Sequence, residues 1–170
     1  MPRKVIAVNG SGGSGKDTFL DYVLTKLWAS GFTASKHSSV DNVKEAAYYL
    51  GWDGVKDDKG RQFLSDLKDL STREYNGPAT YMVNVIKELN DDFMFFHIRE
   101  PKEIARFLEG IGDSISILVN REGIELFGNH ADKDVKDHPY DFEIDNNGTL
   151  EELETQAELF VKYLIEGVVE

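Results

Sequence analysis

The sequence predicts an α/β fold in three layers, with a parallel sheet covered by helices on both faces. Three observations lead there. A short β-branched apolar run at 4–9 ends in a glycine-rich turn, and apolar residues then recur at helical spacing from Phe19 to Trp28. Two further strand-like runs, 92–98 and 116–120, are separated from the first run and from each other by helical segments. No internal repeat or low-complexity stretch interrupts the alternation, so the strands are expected to lie parallel and to be joined by right-handed crossovers.

The first run, KVIAVN, lacks the polar alternation of a half-exposed strand and suits a central one buried on both faces. The helix after it carries Phe19, Leu20, Val23, Leu24, Leu27 and Trp28 on one stripe, and Gly31 supplies its C-terminal stop. A short second strand is expected within 32–40. Asp41 is then expected to cap a helix bearing Val43, Ala46, Ala47 and Leu50, closed by Gly51. A charged loop at 53–60 leads to a helix over about 62–72 with Phe63, Leu64, Leu67 and Leu70 inward, and the Asn76-Gly77 break leads to another over 78–89.

The strand at 92–98 runs into Arg99, Glu100 and a helix opened by Pro101, a favoured residue at a first helical position. After the strand at 116–120, the polar segment 122–140 reads as a long surface loop or lid. A short strand near 142–144 and a helix from Thr149 close the chain, with Thr149 and Glu152 at capping-box spacing and Leu150, Leu153, Phe160, Val161 and Leu164 inward. The organisation expected is one domain over 1–170, with a helical acceptor-binding segment at about 39–90 and the lid-like loop at about 122–140.

Composition narrows the function. With 170 residues, 41% of them hydrophobic, the chain can bury a sizeable core. The absence of cysteine excludes disulfides and thiolate metal sites. The first nine residues hold no apolar stretch of signal-peptide length, and no run approaches the roughly 18 apolar residues of a membrane span. A cytoplasmic protein without a membrane role is the expectation. A net charge of −12, with 31 acidic against 19 basic residues and no basic cluster, argues against nucleic acid as a partner. The six arginines, Arg3, Arg61, Arg73, Arg99, Arg106 and Arg121, stand singly. In an acidic protein that handles anions, isolated arginines are candidate phosphate ligands.

Gly10-Ser11-Gly12-Gly13-Ser14-Gly15-Lys16 fits the pattern G-x-x-x-x-G-K between a strand and a helix, the context the motif requires. Glycines let the backbone curl until its N–H groups point at phosphate oxygens, and the first helical turn adds its positive dipole end. Lys16 can then reach the β and γ phosphates of a nucleoside triphosphate. The next position, where Ser or Thr usually binds Mg²⁺, is Asp17, with Thr18 one place later. Both offer hard oxygen donors, so Asp17 and Thr18 are the metal candidates, and Asp17 also complements the helix dipole. His37, His130 and His138 show no metal-ligand spacing.

Gly15-Lys16-Asp17-Thr18 resembles the G-K-D-T phosphate loop of bacteriophage-type deoxynucleoside monophosphate kinases, within the adenylate-kinase-like group. Val40-Asp41-Asn42-Val43-Lys44-Glu45-Ala46 is similar to that family's A-D-P-L-K-E stretch, and the segment from Arg61 to Arg73 is similar to its R-x-x-L-Q…R. Phe95 to Glu103 resembles the family's D-V-R-F-P-N-E, and Asp145 to Leu153 its N-x-G-T-L-E-E-L. The similarity spans nearly the whole chain in the expected order. It implies a P-loop fold and phosphoryl transfer from Mg-ATP to a nucleoside or deoxynucleoside monophosphate. Residues 10–18 would bind the donor phosphates. Asp41, Lys44, Arg61, Arg73 and Arg99 would bind the acceptor, and Lys16, Arg99 and Arg121 would stabilise the moving charge. His97 stands where the family carries an aspartate.

Two other functions are compatible with these residues: a P-loop kinase for another small phosphorylated metabolite, and a nucleotide-binding regulator without turnover. A homodimer is allowed, and the sequence leaves the oligomeric state open.

Overall fold

The computed structural model describes residues 4–123 and 135–167. Its strands are β1 (Lys4–Asn9), β2 (Ala34–Ser38), β3 (Phe93–His97), β4 (Ser114–Asn120) and β5 (Phe142–Asp145). The helices are α1 (Lys16–Ala29), α2 (Asp41–Tyr49), α3 (Asp58–Tyr75), α4 (Gly77–Glu88), α5 (Pro101–Glu109) and α6 (Leu150–Glu166), with a single 3₁₀ turn at Val135–Asp137. The chain divides into two compact units. One comprises Met1–Lys36 and Asn90–Glu170, the other His37–Leu89.

The five strands form one parallel sheet in the order β2-β3-β1-β4-β5. β1 is central, pairing Ile6 with Phe95 on one side and with Ile115 on the other. Five of its six residues are buried, as its unbroken apolar run predicts. The connection from β1 leads to one side of the sheet, whereas the one from β3 passes β1 to reach β4. The carboxyl ends of β3, β1 and β4 are therefore neighbours at the crevice where open α/β sheets gather their ligands.

Helices α1 and α6 cover one face. Phe19, Leu20, Val23, Leu24 and Leu27 of α1 meet Leu153, Ala157, Phe160, Val161 and Leu164 of α6 over Ile6, Val8, Phe95, Ile117 and Val119. Each such large apolar side chain contributes about 1.5–3 kcal/mol by leaving water. On the other face α5 buries Ile104 and Phe107, and the Phe107 ring meets Phe96 edge-on at 5.2 Å between centroids. Lys26 of α1 bridges Glu158 and Glu154 of α6 at 2.7 and 3.0 Å, and these carboxylates hold its pKa above the usual lysine value.

The expected strands and helices are all present, with several local corrections. Asp41 opens α2 instead of capping it. Its carboxylate accepts from the Ser38 backbone N–H at 2.7 Å, so it closes the preceding turn. Helix α3 starts earlier than expected because Asp57 caps it by accepting from the Gly60 N–H at 2.7 Å. It ends at Asn76, whose φ of 50° is the left-handed stop expected at the Asn-Gly break.

Four apolar residues read as inward face solvent. Trp28 lies on the last turn of α1, where its ring is mostly exposed while Nε1 donates to the Ala34 carbonyl at 3.0 Å. Leu50 follows α2 as its C-cap, off the buried stripe of Val43 and Ala47. Leu70 lies beyond the half-buried Phe63, Leu64 and Leu67 of α3. Leu150 is the first residue of α6, one turn before the core begins at Leu153. Ala46 of α2 is exposed as well.

The capping box of α6 is complete: the Thr149 hydroxyl accepts from the Glu152 N–H at 3.2 Å, and the Glu152 carboxylate accepts from the Thr149 N–H at 2.8 Å. Thr149→Ala removes half of this exchange and is expected to cost about 1 kcal/mol. In a domain of this size that lowers Tm by about 2–4 °C, readable by thermal denaturation followed by circular dichroism.

Candidate phosphate-binding site

The glycines of the loop between β1 and α1 have the conformations that a phosphate cradle needs. Gly10, Gly13 and Gly15 adopt φ of 153°, 81° and 87°, a region where side chains strain the backbone. The curl is closed by the Ser14 N–H donating to the Ser11 carbonyl at 3.1 Å. Gly15 is the N-cap of α1 and offers no side chain to the first helical N–H groups, which leaves them to an anion. Lys16 Nζ lies over the loop, 3.4 Å from the Ser11 carbonyl. The Ser14 hydroxyl is buried without a hydrogen-bond partner among the described residues.

The loop is supported from outside. A methyl group on Gly10 would lie 2.5 Å from the Val119 carbonyl of β4 and 2.6 Å from the Ser14 hydroxyl. Asn9, itself buried, accepts from the Gly10 N–H at 2.7 Å and donates to the Arg99 carbonyl at 3.0 Å and to the Tyr140 hydroxyl at 2.8 Å. Both N–H donors of its amide are therefore used, and its oxygen accepts one bond. Asn146, just past β5, donates from Nδ2 to the Ser14 carbonyl at 2.8 Å in a buried bond.

Comparison with solved structures places this architecture. The protein TT1252 from Thermus thermophilus is 16% identical with a TM-score of 0.54, covering 100% of both chains. A sugar kinase from Janibacter sp. HTCC2649 is 14% identical with a TM-score of 0.50, covering 99% of both. The chain shares the three-layer α/β fold of these structures, a parallel sheet with helices on both faces. No protein-family model and no curated sequence matches it.

Residues 10–18 lie together between β1 and the first turn of α1, and two of the expected arginines follow the same sheet edge. Arg99 comes two residues after β3 and Arg121 directly after β4, both exposed. Asp17, with its carboxylate largely in solvent, lies 3.7 Å from Nε2 of the half-buried His97 at the end of β3. Among the described residues no group of three or more histidine, aspartate or glutamate side chains is placed to hold a metal ion. The oxygen donors of Asp17 and Thr18 fit Mg²⁺ of the kind that enters with a triphosphate, since this ion commonly takes only one or two protein ligands beside phosphate and water.

The remaining acceptor candidates belong to the second unit. Asp41 and Lys44 form an ion pair at 2.9 Å, one helical turn apart. Arg61 Nε donates to the Lys56 carbonyl at 2.8 Å, and Arg73 Nε contacts Glu74 at 2.7 Å, with both arginines exposed. Most of the lid-like loop, including His130 and Lys133, lies outside the described residues.

After that stretch, Val135 is buried and the segment to Asp141 is fastened to the P-loop unit. Asp141 accepts from the Ser116 N–H at 2.7 Å and from its hydroxyl at 2.9 Å, with His138 Nε2 3.1 Å from the same hydroxyl. Burial lowers the His138 pKa, and the Asp141 charge opposes that shift. The trio is not a nucleophilic triad: the carboxylate holds the serine instead of orienting the imidazole, and Ser116 is buried in β4.

Tyr140 accepts from Asn9 and donates to the Val135 carbonyl at 2.7 Å. Burial pushes its pKa up to about 12 from the usual 10.0, against the opposing effect of the Asn9 bond. Tyr140→Phe is expected to cost about 1–2 kcal/mol by leaving both partners short of a bond. The raised pKa means that the native chain holds the proton more tightly than the unfolded one, so this contribution is full below pH 10.0 and is lost as pH rises toward about 12. Urea denaturation from pH 8 to 11.5 would show a steeper alkaline loss in the parent than in Tyr140→Phe.

The sequence-based reading assigned no role to Asn9, Tyr140 or Asn146. The one local signal was composition: polar amides at the ends of apolar strands, where a buried polar group needs partners.

Proposed function

We propose that the chain transfers the γ-phosphoryl group of ATP to a nucleoside or deoxynucleoside monophosphate, giving the diphosphate. The observation that supports this most is the sequence of cations beyond three neighbouring strands: Arg99 after β3, Lys16 at the end of the loop after β1, and Arg121 after β4. Phosphoryl transfer asks little covalent chemistry of a protein. It requires positioning and positive charge around a group whose negative charge spreads over three oxygens.

An acceptor phosphate oxygen attacks the γ-phosphorus in line, and the bond to the β–γ bridging oxygen breaks. The loop N–H groups and Lys16 hold the donor, Arg99 and Arg121 follow the transferring group, and Asp41, Lys44, Arg61 and Arg73 bind the acceptor. Asp17 and Thr18 are the residues that would hold Mg²⁺, which when bound neutralises charge on the donor phosphates.

The approach of His97 to Asp17 favours a second reading, a nucleotide-binding regulator without turnover, because it sets an imidazole 3.7 Å from the carboxylate that follows the lysine. ADP release from Mg-ATP, measured against a panel of ribo- and deoxynucleoside monophosphates and other phosphorylated metabolites, separates the readings. Stimulation by one or a few nucleoside monophosphates is expected. Stimulation only by another metabolite would redirect the acceptor assignment, and tight ATP binding with no stimulation at all would favour the regulator.

A further inference from the structure

The residue that sets the phosphate loop comes from the far end of the chain. Asn146 is buried at 7% relative exposure, and its backbone N–H donates to the Asn120 carbonyl at 2.8 Å, extending the β4–β5 ladder by one step. Its side chain leaves that fixed backbone to donate to the Ser14 carbonyl, and its amide occupies the space beside Gly15 that a Cβ would fill.

The turn around Asn146 is held on both sides. Asn147 Oδ1 accepts from the Glu122 N–H at 2.7 Å, and the Asn147 N–H donates to Asp145 Oδ1 at 2.9 Å. Gln156 of α6 donates to the Asp145 carbonyl at 2.6 Å. The Asn146 amide therefore has little freedom, and the carbonyl it grips is fixed with it.

That carbonyl belongs to the Ser14–Gly15 peptide, which is planar and trans. Fixing its oxygen toward Asn146 turns the Gly15 N–H to the opposite side, away from Asn146. A phosphate cradle works because its N–H groups already point at the anion before it arrives. With the Ser14 carbonyl released, this peptide could rotate and present its oxygen to the phosphates instead.

We propose that Asn146 is a positioning residue for the donor triphosphate, locking the Ser14–Gly15 peptide in its anion-accepting orientation. The inference rests on the reading of residues 10–18 as the triphosphate site. It concerns phosphates alone, so inorganic tripolyphosphate should feel the loss of Asn146 as ATP does, and adenosine should not.

Titration calorimetry with Mg-ATP, tripolyphosphate and adenosine on the parent, Asn146→Asp and Asn146→Leu tests it. Asn146→Asp keeps the shape and replaces the donor by an acceptor that repels the Ser14 carbonyl. Both variants are expected to raise Kd for Mg-ATP and tripolyphosphate about tenfold or more, leaving the Kd for any adenosine binding unchanged. Thr149→Ala, which loosens the same turn without touching the loop, serves as the stability control and should bind both phosphates like the parent.

Parental affinity in the Asn146 variants, or an equal weakening in Thr149→Ala, would overturn the positioning role while leaving the triphosphate site standing. A parent that binds neither phosphate would overturn the site itself. A measurement on the parent alone covers the case of variants that do not fold: in a ¹⁵N-correlation spectrum the Gly15 amide should shift on adding tripolyphosphate, and an unmoved Gly15 resonance in a phosphate-bound protein would sink the proposal.

Discussion

Lys16→Ala is expected to lower acceptor-stimulated ADP release by about two to three orders of magnitude, the usual consequence of removing one preorganised charge from a transition state. The side chain reaches back to the loop, with Nζ 3.4 Å from the Ser11 carbonyl. Alanine is a good residue for the first turn of α1, so the helix should survive and circular dichroism should match the parent. The decisive readout is kcat at saturating Mg-ATP. A large fall in kcat assigns Lys16 to the transferring group, whereas a rise in KM at constant kcat would confine it to ground-state binding.

Gly10→Ala is expected to be the most damaging single-methyl change in the loop, at about 2–5 kcal/mol of stability. Two costs combine. At φ of 153° a Cβ strains the backbone, and the added methyl would lie 2.5 Å from the Val119 carbonyl. That oxygen belongs to the central part of the sheet and cannot step aside as a flexible side chain could. Chemical denaturation should show the loss directly, with triphosphate affinity falling alongside because the Gly10 N–H and its Asn9 partner are displaced together. A Gly10→Ala protein with parental stability would mean that the β1–loop junction is softer than its packing indicates. Gly123 is the contrasting position: among the described residues nothing lies within 4 Å of where its Cβ would be, so the cost is confined to its φ of 71°.

The phosphate loop was legible in the sequence because its chemistry leaves local marks. Glycines appear where φ is positive, a lysine follows, and the flanking segments change period from strand to helix. The central strands were legible for a similar reason, since KVIAVN and SILVN are apolar without alternation and only a twice-covered strand tolerates that. Helix boundaries were less so. Asp57 caps α3 from within a run of charged residues that reads as loop, and Leu150 continues the stripe of α6 beyond the point where there is core for it to meet.

What the sequence hid were the amide contacts around the site. Asn9 meets Tyr140 across a separation of 131 residues and Asn146 meets Ser14 across 132, and no local pattern announces a hydrogen bond between residues so far apart. Arg61 and Arg73 show the converse. The resemblance of their segment to a kinase family implied a shared role, and each also bonds a residue close by in sequence, the Lys56 carbonyl and Glu74.

The distance along the chain between Ser14 and Asn146 bears on how the protein is made. During synthesis the strand, glycines and lysine of the loop emerge first, and every element that contacts them through Asn146 or Tyr140 emerges more than 120 residues later. A nascent chain stalled within α5 would carry the complete motif and the Arg99 carbonyl that Asn9 meets, but neither Tyr140 nor Asn146. On the proposed reading, full affinity for a triphosphate would therefore arrive late, with β5 and the turn behind it. A truncation before Asn146 is expected to weaken triphosphate binding although residues 10–18 are all still present.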